Sequence, residues 1–303
     1  MTGMSIPDGR RGDPLSDIET GDLPPPIFVP PATADAWRTA ARRGIRQPSQ
    51  ATITYLGDTV VKSAEGQAAI KLRAQADWIV TVRALGFRQV PEILDRWEDI
   101  GPGGIPRFAF AMPRYLPLTH SGAETAVAIL RALRGLWRLP AAGLPSISPE
   151  FYARAVTAPI ARLCGATAET FLAAAERVDW PRTAPAHIHG DPTFENTVQD
   201  FDGRIVLLDP NVQRAPAVCL SEQDISKVAL SCAGWEDFVS GRIDLVAPPA
   251  SDELVPADGA SGYSPRLVRW LAAAHLARTI PYGAKRGDGR LILPSIRAWL
   301  SDL

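Results

Sequence analysis

The sequence predicts an α+β protein of two lobes, a small β-rich one followed by a larger, mostly helical one. Three observations carry this reading. Between residues 47 and 112 short β-rich runs flank a single helical stretch; residues 113–117, Pro-Arg-Tyr-Leu-Pro, interrupt the strand pattern; and beyond residue 118 apolar residues recur mainly at helical spacing. With 303 residues, 46% of them hydrophobic, the chain is long enough to bury a substantial core.

Residues 1–31, rich in Pro, Gly and Asp, have no helical or strand period and are expected to form a flexible leader. Residues 33–43 read as a short helix with Gly44 at its end. ATITY and TVVKS flank Leu56-Gly57-Asp58, a hairpin signal, and the second run carries Lys62. The helix expected over 66–85 has Ile70, Ala74, Trp78, Ile79, Val82 and Leu85 as its apolar stripe and stops at Gly86. VPEILDRWED and RFAFAM complete the small lobe, which is assigned to 32–112, and 113–117 form the interlobe linker. In the second lobe, 118–303, helices are expected over 123–139, 151–163, 167–178, 221–232, 264–280 and 295–303, with a loop over 242–263.

Charge and cysteine usage exclude several classes. Thirty-two basic against thirty-three acidic residues leave a net charge of -1, which gives no footprint for nucleic acid or an anionic membrane. The three cysteines, Cys164, Cys219 and Cys232, form no CxxC pair and read as reduced core residues. Without a signal-peptide core or a long apolar run, the expected compartment is the cytoplasm. Only four lysines, Lys62, Lys71, Lys227 and Lys285, stand among the basic residues, so a lysine in a suggestive context is informative.

The chemistry concentrates in residues 187–211, HIHGDPTFENTVQDFDGRIVLLDPN. Asp202-Gly203 is a hairpin turn between NTVQ and RIVLLD, which brings Asn196 and Asp209 to adjacent strand ends with Asp191 in the loop before them. Convergent carboxylate and amide oxygens suit Mg²⁺. Two other readings stand beside this one. The aspartates serve as turn formers, or His187-x-His189-x-Asp191 opens a dinuclear metal site of a hydrolase, for which only His120 and His275 remain as further imidazoles.

The motif HGDPTFEN, followed by a hairpin and LLDPN, resembles the catalytic core of the aminoglycoside phosphotransferase-like kinases, whose pattern is HGDxxxxN and then a strand ending in aspartate. Lys62 on the hairpin, the linker at 112–115 and Asp224-Ile225-Ser226-Lys227 also resemble that family. The resemblance implies a bilobal protein-kinase-like fold and an enzyme that transfers the γ-phosphoryl group of ATP, or alternatively GTP, with Mg²⁺, to the hydroxyl of a small molecule. It implies that Asp191 orients and deprotonates that hydroxyl, that Asn196 and Asp209 hold Mg²⁺, and that Lys62 pairs with the inner phosphates. His189 would support the loop by hydrogen bonding and Asp224 would accept hydrogen bonds from the loop backbone. Met112, Arg114 and Tyr115 would meet adenine, with the Arg114 or Tyr115 amide as donor because Pro113 has none. Ser49 lies where backbone amides would cover the phosphates.

Two positions depart from the family pattern. The segment after Gly44, RQPSQA, has no glycine cluster, and Gln75 stands where a glutamate would position Lys62, to which it is expected to hydrogen-bond instead. These departures favour the alternative of a nucleotide-binding pseudokinase acting through a partner. Acceptor contacts are expected from Glu195, Asn211, Gln213, Arg214, His275, Arg278 and Tyr282. The arginines Arg214, Arg278, Arg286 and Arg290 favour a neutral or anionic acceptor, such as a sugar, cyclitol, nucleoside or other natural product, over a polycation.

Overall fold

The structure, a computed structural model, describes residues 45–46, 51–118, 122–141, 165–178, 186–211, 220–248, 264–286, 289–301 and 303. The expected leader, the helices over 33–43 and 151–163, and residues Ser49, His120, Gln213 and Arg214 lie outside the described residues. So do Cys164 and Cys219, while Cys232 is half-buried and forms no disulfide among the described residues.

The small lobe is an antiparallel sheet of five strands in the order β1-β2-β3-β5-β4, made of β1 (Ile45–Arg46), β2 (Thr52–Leu56), β3 (Thr59–Glu65), β4 (Asp95–Ile100) and β5 (Pro106–Pro113). The Gly57-Asp58 turn sets the β2–β3 register, so that Ile53 faces Lys62, and Lys62 in turn faces Phe110 on β5. β3 is therefore a central strand, and its lysine is only 4% exposed. A 3₁₀ turn, Pro102–Gly104, closes the β4–β5 hairpin. VPEI, expected to begin β4, is irregular, because the ladder to β5 starts only at Asp95.

Helix α1 (Gln67–Ala84) crosses this sheet, and its buried residues are Ala69, Leu72, Gln75, Ala76, Ile79 and Val82. The expected stripe is thus rotated, with Ile70 and Leu85 on the exposed side. The cause is that α1 serves two cores. Ala69, Leu72 and Ala76 pack with Val60, Phe108, Phe110 and Met112 of the sheet, whereas Ile79 and Val82 join the core of the helical lobe. A helix shared between two cores has no single apolar face, and a one-face template misreads it.

The linker is more ordered than its prolines imply. Pro113 ends β5 opposite Thr59, and Leu116–Pro117 form a short strand, β6, against β7 (Thr197–Gln199). Proline is tolerated at strand ends and edges, where no ladder donor is missing. β7 pairs with β8 (Ile205–Leu207) across the Asp202-Gly203 turn. The larger core is built from α2 (Ala123–Trp137), α3 (Gly165–Glu176), α4 (Ser221–Cys232), α6 (Pro265–Arg286) and α7 (Gly289–Leu300). A short helix, α5 (Trp235–Val239), follows α4 and was not legible in the sequence. Trp270 and Trp299 are fully buried, and each indole N–H reaches a carbonyl, that of Phe171 at 3.2 Å and that of Val246 at 2.9 Å. No helix among the described residues is long and apolar enough to cross a membrane.

Candidate active site

The β7–β8 ladder explains how the loop and the following strand end meet. Leu208 N–H donates to the Asn196 carbonyl at 2.7 Å, and Asn211 N–H donates to the His189 carbonyl at 2.8 Å. The segments before β7 and after β8 are thereby stitched side by side. Gly190 has φ 79°, and a Cβ there would lie 2.9 Å from the Asn211 carbonyl oxygen, so only glycine fits this crossing. Asp209, with φ 57°, is the one non-glycine residue in the left-handed region among those described. Backbone of this kind is held by its surroundings and clusters at functional sites.

Four side chains converge from these elements on a cleft of about 270 Å³ between the sheet lobe and the loop. Asp191, Asn196 and Asp209 come from the loop and strand end, and Lys62 comes from β3. Lys62 forms an ion pair with Asp209. Asn196 Nδ2 donates to the Asp191 carboxylate at 3.1 Å and to the Asp191 carbonyl at 2.9 Å. Its Oδ1 takes no hydrogen bond from a described residue, which leaves one amide oxygen and the Asp209 carboxylate as hard donors in the cleft. That donor set fits Mg²⁺, which needs few protein ligands when phosphate oxygens and water supply the others. No group of three or more His, Cys, Asp or Glu side chains able to hold a metal ion occurs among the described residues.

Asp191 is also 2.9 Å from Lys227 Nζ on α4. Burial raises its pKa, but the Lys227 charge and hydrogen bond, with His189 and Lys71, outweigh that and hold the carboxyl below its ordinary range. Three residues before Lys227, Asp224 is fully buried and grips the loop backbone. It accepts from His189 N–H at 3.0 Å, Gly190 N–H at 2.7 Å and the Trp137 indole at 3.0 Å. Burial pushes its pKa up to about 6 despite these donors.

The two histidines diverge, which removes the dinuclear metal reading. His187 Nε2 meets the Pro140 carbonyl at 2.9 Å, whereas the His189 ring packs edge-on against Trp78 with centroids 5.9 Å apart. The His189 ring nitrogens face the backbone of Leu208 and Asp191, neither in a well-aligned hydrogen bond, and the residue also ties the loop through its own N–H, which donates to Asp224. Burial lowers its pKa to about 4, against the opposing charges of Asp191 and Asp209, and keeps the ring neutral.

Three further expectations need correction. Gln75 does not bond Lys62; its Nε2 donates to the Pro210 carbonyl at 2.9 Å, because Asp209 already occupies the lysine. Arg114 N–H, one of the two amides expected to meet the base, is committed to the Asp58 carbonyl at 2.7 Å. The Arg114 guanidinium instead lies over the Tyr55 ring, 5.6 Å from its centroid. His275 is 5% exposed on α6 and is absent from the cleft lining, as is Arg278. The His275 pKa is driven down by burial and by the charges of Lys227 and Arg278.

Glu195 and Asn211 do line the cleft. Burial, Glu236 and Asp191 together raise the Glu195 pKa. Met112 packs in the small core and Tyr115 Oη accepts from Glu92 N–H at 3.3 Å; neither lines this part of the cleft. Tyr282 is on α6 with its side chain outside the description. Sequence reasoning gave no role to Lys71, which lines the cleft, or to Lys227. The scarcity of lysine was a usable signal, since three of the four gather at this site.

No family model matches the sequence, and no curated protein is significantly similar to it. Solved structures do match. A protein assigned as a fructosamine-3-kinase from Haemophilus somnus aligns over 85% of this chain and 90% of its own at 13% identity, with a TM-score of 0.55. An AMP-bound spectinomycin phosphotransferase aligns over 85% and 92% at 8% identity, TM-score 0.50. A macrolide 2'-phosphotransferase of type I aligns over 91% and 98% at 16% identity, TM-score 0.48. The chain has the bilobal α+β, protein-kinase-like fold of the first two structures.

Proposed function

We propose that this chain is an ATP- and Mg²⁺-dependent phosphotransferase acting on a hydroxyl group of a small molecule. The observation that carries the reading is the convergence of Asp191, Asn196, Asp209 and Lys62 on one cleft. The fold shared with a kinase and a phosphotransferase of small molecules agrees with it. Asp191, ionised at neutral pH, orients the acceptor hydroxyl and takes its proton as the oxygen bonds to the γ-phosphorus; the bond from that phosphorus to the β,γ-bridging oxygen breaks, and ADP leaves. Asn196 and Asp209 would hold Mg²⁺, which supplies neutralisation of the phosphate oxygens. Lys62, released from its Asp209 contact, pairs with the inner phosphates. Glu195 and Asn211, which line the cleft, would contact the acceptor.

The acceptor class follows from charge. The cleft carboxylates Asp191, Glu195 and Asp209 are matched by Lys62, Lys71 and the adjoining Lys227. A polycation would find little net attraction there, so a sugar, cyclitol, nucleoside or other natural-product hydroxyl is favoured.

The test is transfer of label from γ-labelled ATP to a panel of hydroxylated acceptors, with Asp191→Ala as the control. Loss of about 10³-fold in turnover with nucleotide binding retained is expected for loss of a general base. Undiminished turnover in that variant overturns the reading. One observation favours the pseudokinase alternative: the Lys62–Asp209 pair neutralises itself while α1 turns Gln75, not an acid, toward the cleft and its Asp77 pairs with Arg96. Nucleotide binding without transfer to any acceptor would decide for it.

A further inference from the structure

Lys71 stands on the face of α1 that also presents Ala68, Leu72 and Gln75 to the cleft. Its spacing from Gln75 is i, i+4, one turn along the same helix face. Because the Gln75 amide is bonded to the Pro210 carbonyl at 2.9 Å, that face is fastened to the backbone beside Asp209. Lys71 is thereby held on the wall shared by Asp191 and Asp209.

The other cations here are matched. Lys62 has Asp209, and Lys227 has Asp191 at 2.9 Å. On the outer side of α1, Arg73 meets Glu98 at 3.1 Å and Asp77 meets Arg96 at 2.6 Å. Lys71 alone of these cations has no ion-pair or hydrogen-bond partner among the described residues. It is also a lysine in a chain that uses lysine at only four positions. A compact ammonium with three rotatable donors can follow phosphate oxygens as they move, which a planar guanidinium does less well.

We propose that Lys71 binds the terminal phosphate of the nucleoside triphosphate, filling the place of the loop amides that a glycine cluster would supply. This rests on the phosphotransferase reading. Asp209 with Lys62 marks the metal and inner-phosphate end of the cleft, and Asp191 marks the acceptor hydroxyl. The group that lies between them is the phosphoryl in transit, and Lys71 borders both. Its charge acts on Asp191 together with that of Lys227, in keeping with this placement.

The experiment is calorimetric titration of the full-length protein with Mg²⁺ and either ADP or the non-hydrolysable β,γ-imido analogue of ATP. Lys71→Gln is expected to weaken the triphosphate about tenfold, the worth of one charge-assisted hydrogen bond, and to leave ADP within about twofold. Lys71→Arg should retain most of the triphosphate affinity, and Lys71→Glu should lose more than Lys71→Gln. Equal effects on the two nucleotides, or none, would overturn the role of Lys71, including the case in which it serves an anionic group of the acceptor. Wild-type protein that binds neither nucleotide would overturn the phosphotransferase reading with it. Thermal melting of each variant separates loss of folding from loss of binding.

Discussion

Lys227 Nζ on α4 lies 2.9 Å from Oδ1 of Asp191, while Asn196 Nδ2 lies 3.1 Å from Oδ2 of the same carboxylate. Both oxygens of the group proposed as base are thus held before any substrate arrives. α4 contributes twice to this order, since Asp224, three residues earlier, accepts the amides of His189 and Gly190. One helix face fixes the loop backbone and the carboxylate together.

Lys227→Met should therefore act on Asp191. Burial alone raises the pKa of Asp191, and Lys227 is the largest influence lowering it. Without that charge the folded pKa rises, and the acid limb of kcat/KM moves to higher pH. Turnover at neutral pH should fall about 10-fold to 100-fold from misorientation of the base, with Lys227→Arg restoring part of it. An unshifted acid limb in Lys227→Met would show that Asp191 is not the titrating base.

Gln75→Glu tests whether an acid on α1 improves the site. The glutamine N–H₂ donates to the Pro210 carbonyl, and a carboxylate there would instead face that carbonyl in a buried position. Leaving the carbonyl unpaired and burying the charge should cost about 1–3 kcal/mol. Urea denaturation should show a lower midpoint at unchanged slope. A gain in stability would mean that the new carboxylate had reached Lys62.

Asp224→Asn should be costly for a different reason. Three donors, from His189, Gly190 and Trp137, converge on its two oxygens, and an asparagine supplies one oxygen and one NH₂ in their place. At least one donor then faces another donor in a fully buried position. A loss of about 2–3 kcal/mol at pH 7 is expected, read from the urea midpoint.

Much of this arrangement was legible in the sequence because it is local. The β2–β3 turn, the β7–β8 turn and α4 are each set by residues close in the chain, and the carboxylates and amide of HGDPTFEN and LLDPN fall beside one another once the hairpin forms. What escaped was set by distant partners. The stripe of α1 was misplaced because the helix joins two cores, and the partner of Gln75 is 135 residues away. Lys71 and Lys227 reach the site from two different helices; Lys227 was visible as the end of the Asp-x-x-Lys motif but without its partner Asp191, and no spacing announces Lys71. β6 was hidden by prolines that are harmless at an edge.

The buried pair at the base of the loop gives a final prediction about pH. Asp224 is raised from 3.8 to about 6, so between these values the folded state holds more protons than the unfolded chain, and stability falls as pH rises through the window. His189 is lowered from 6.5 to about 4, so over nearly the same window the unfolded chain holds more protons, and stability rises with pH. The two slopes oppose, and the contribution of the pair in the wild type is close to flat between them. His189→Phe removes one slope and keeps a ring to pack on Trp78. Its stability relative to wild type should fall from about pH 4 to pH 6 by on the order of 2 kcal/mol. Asp224→Asn should show the reverse slope relative to wild type. Urea titrations at half-unit pH intervals read both, and parallel curves for the two variants would refute the assignment of opposed titrations to this pair.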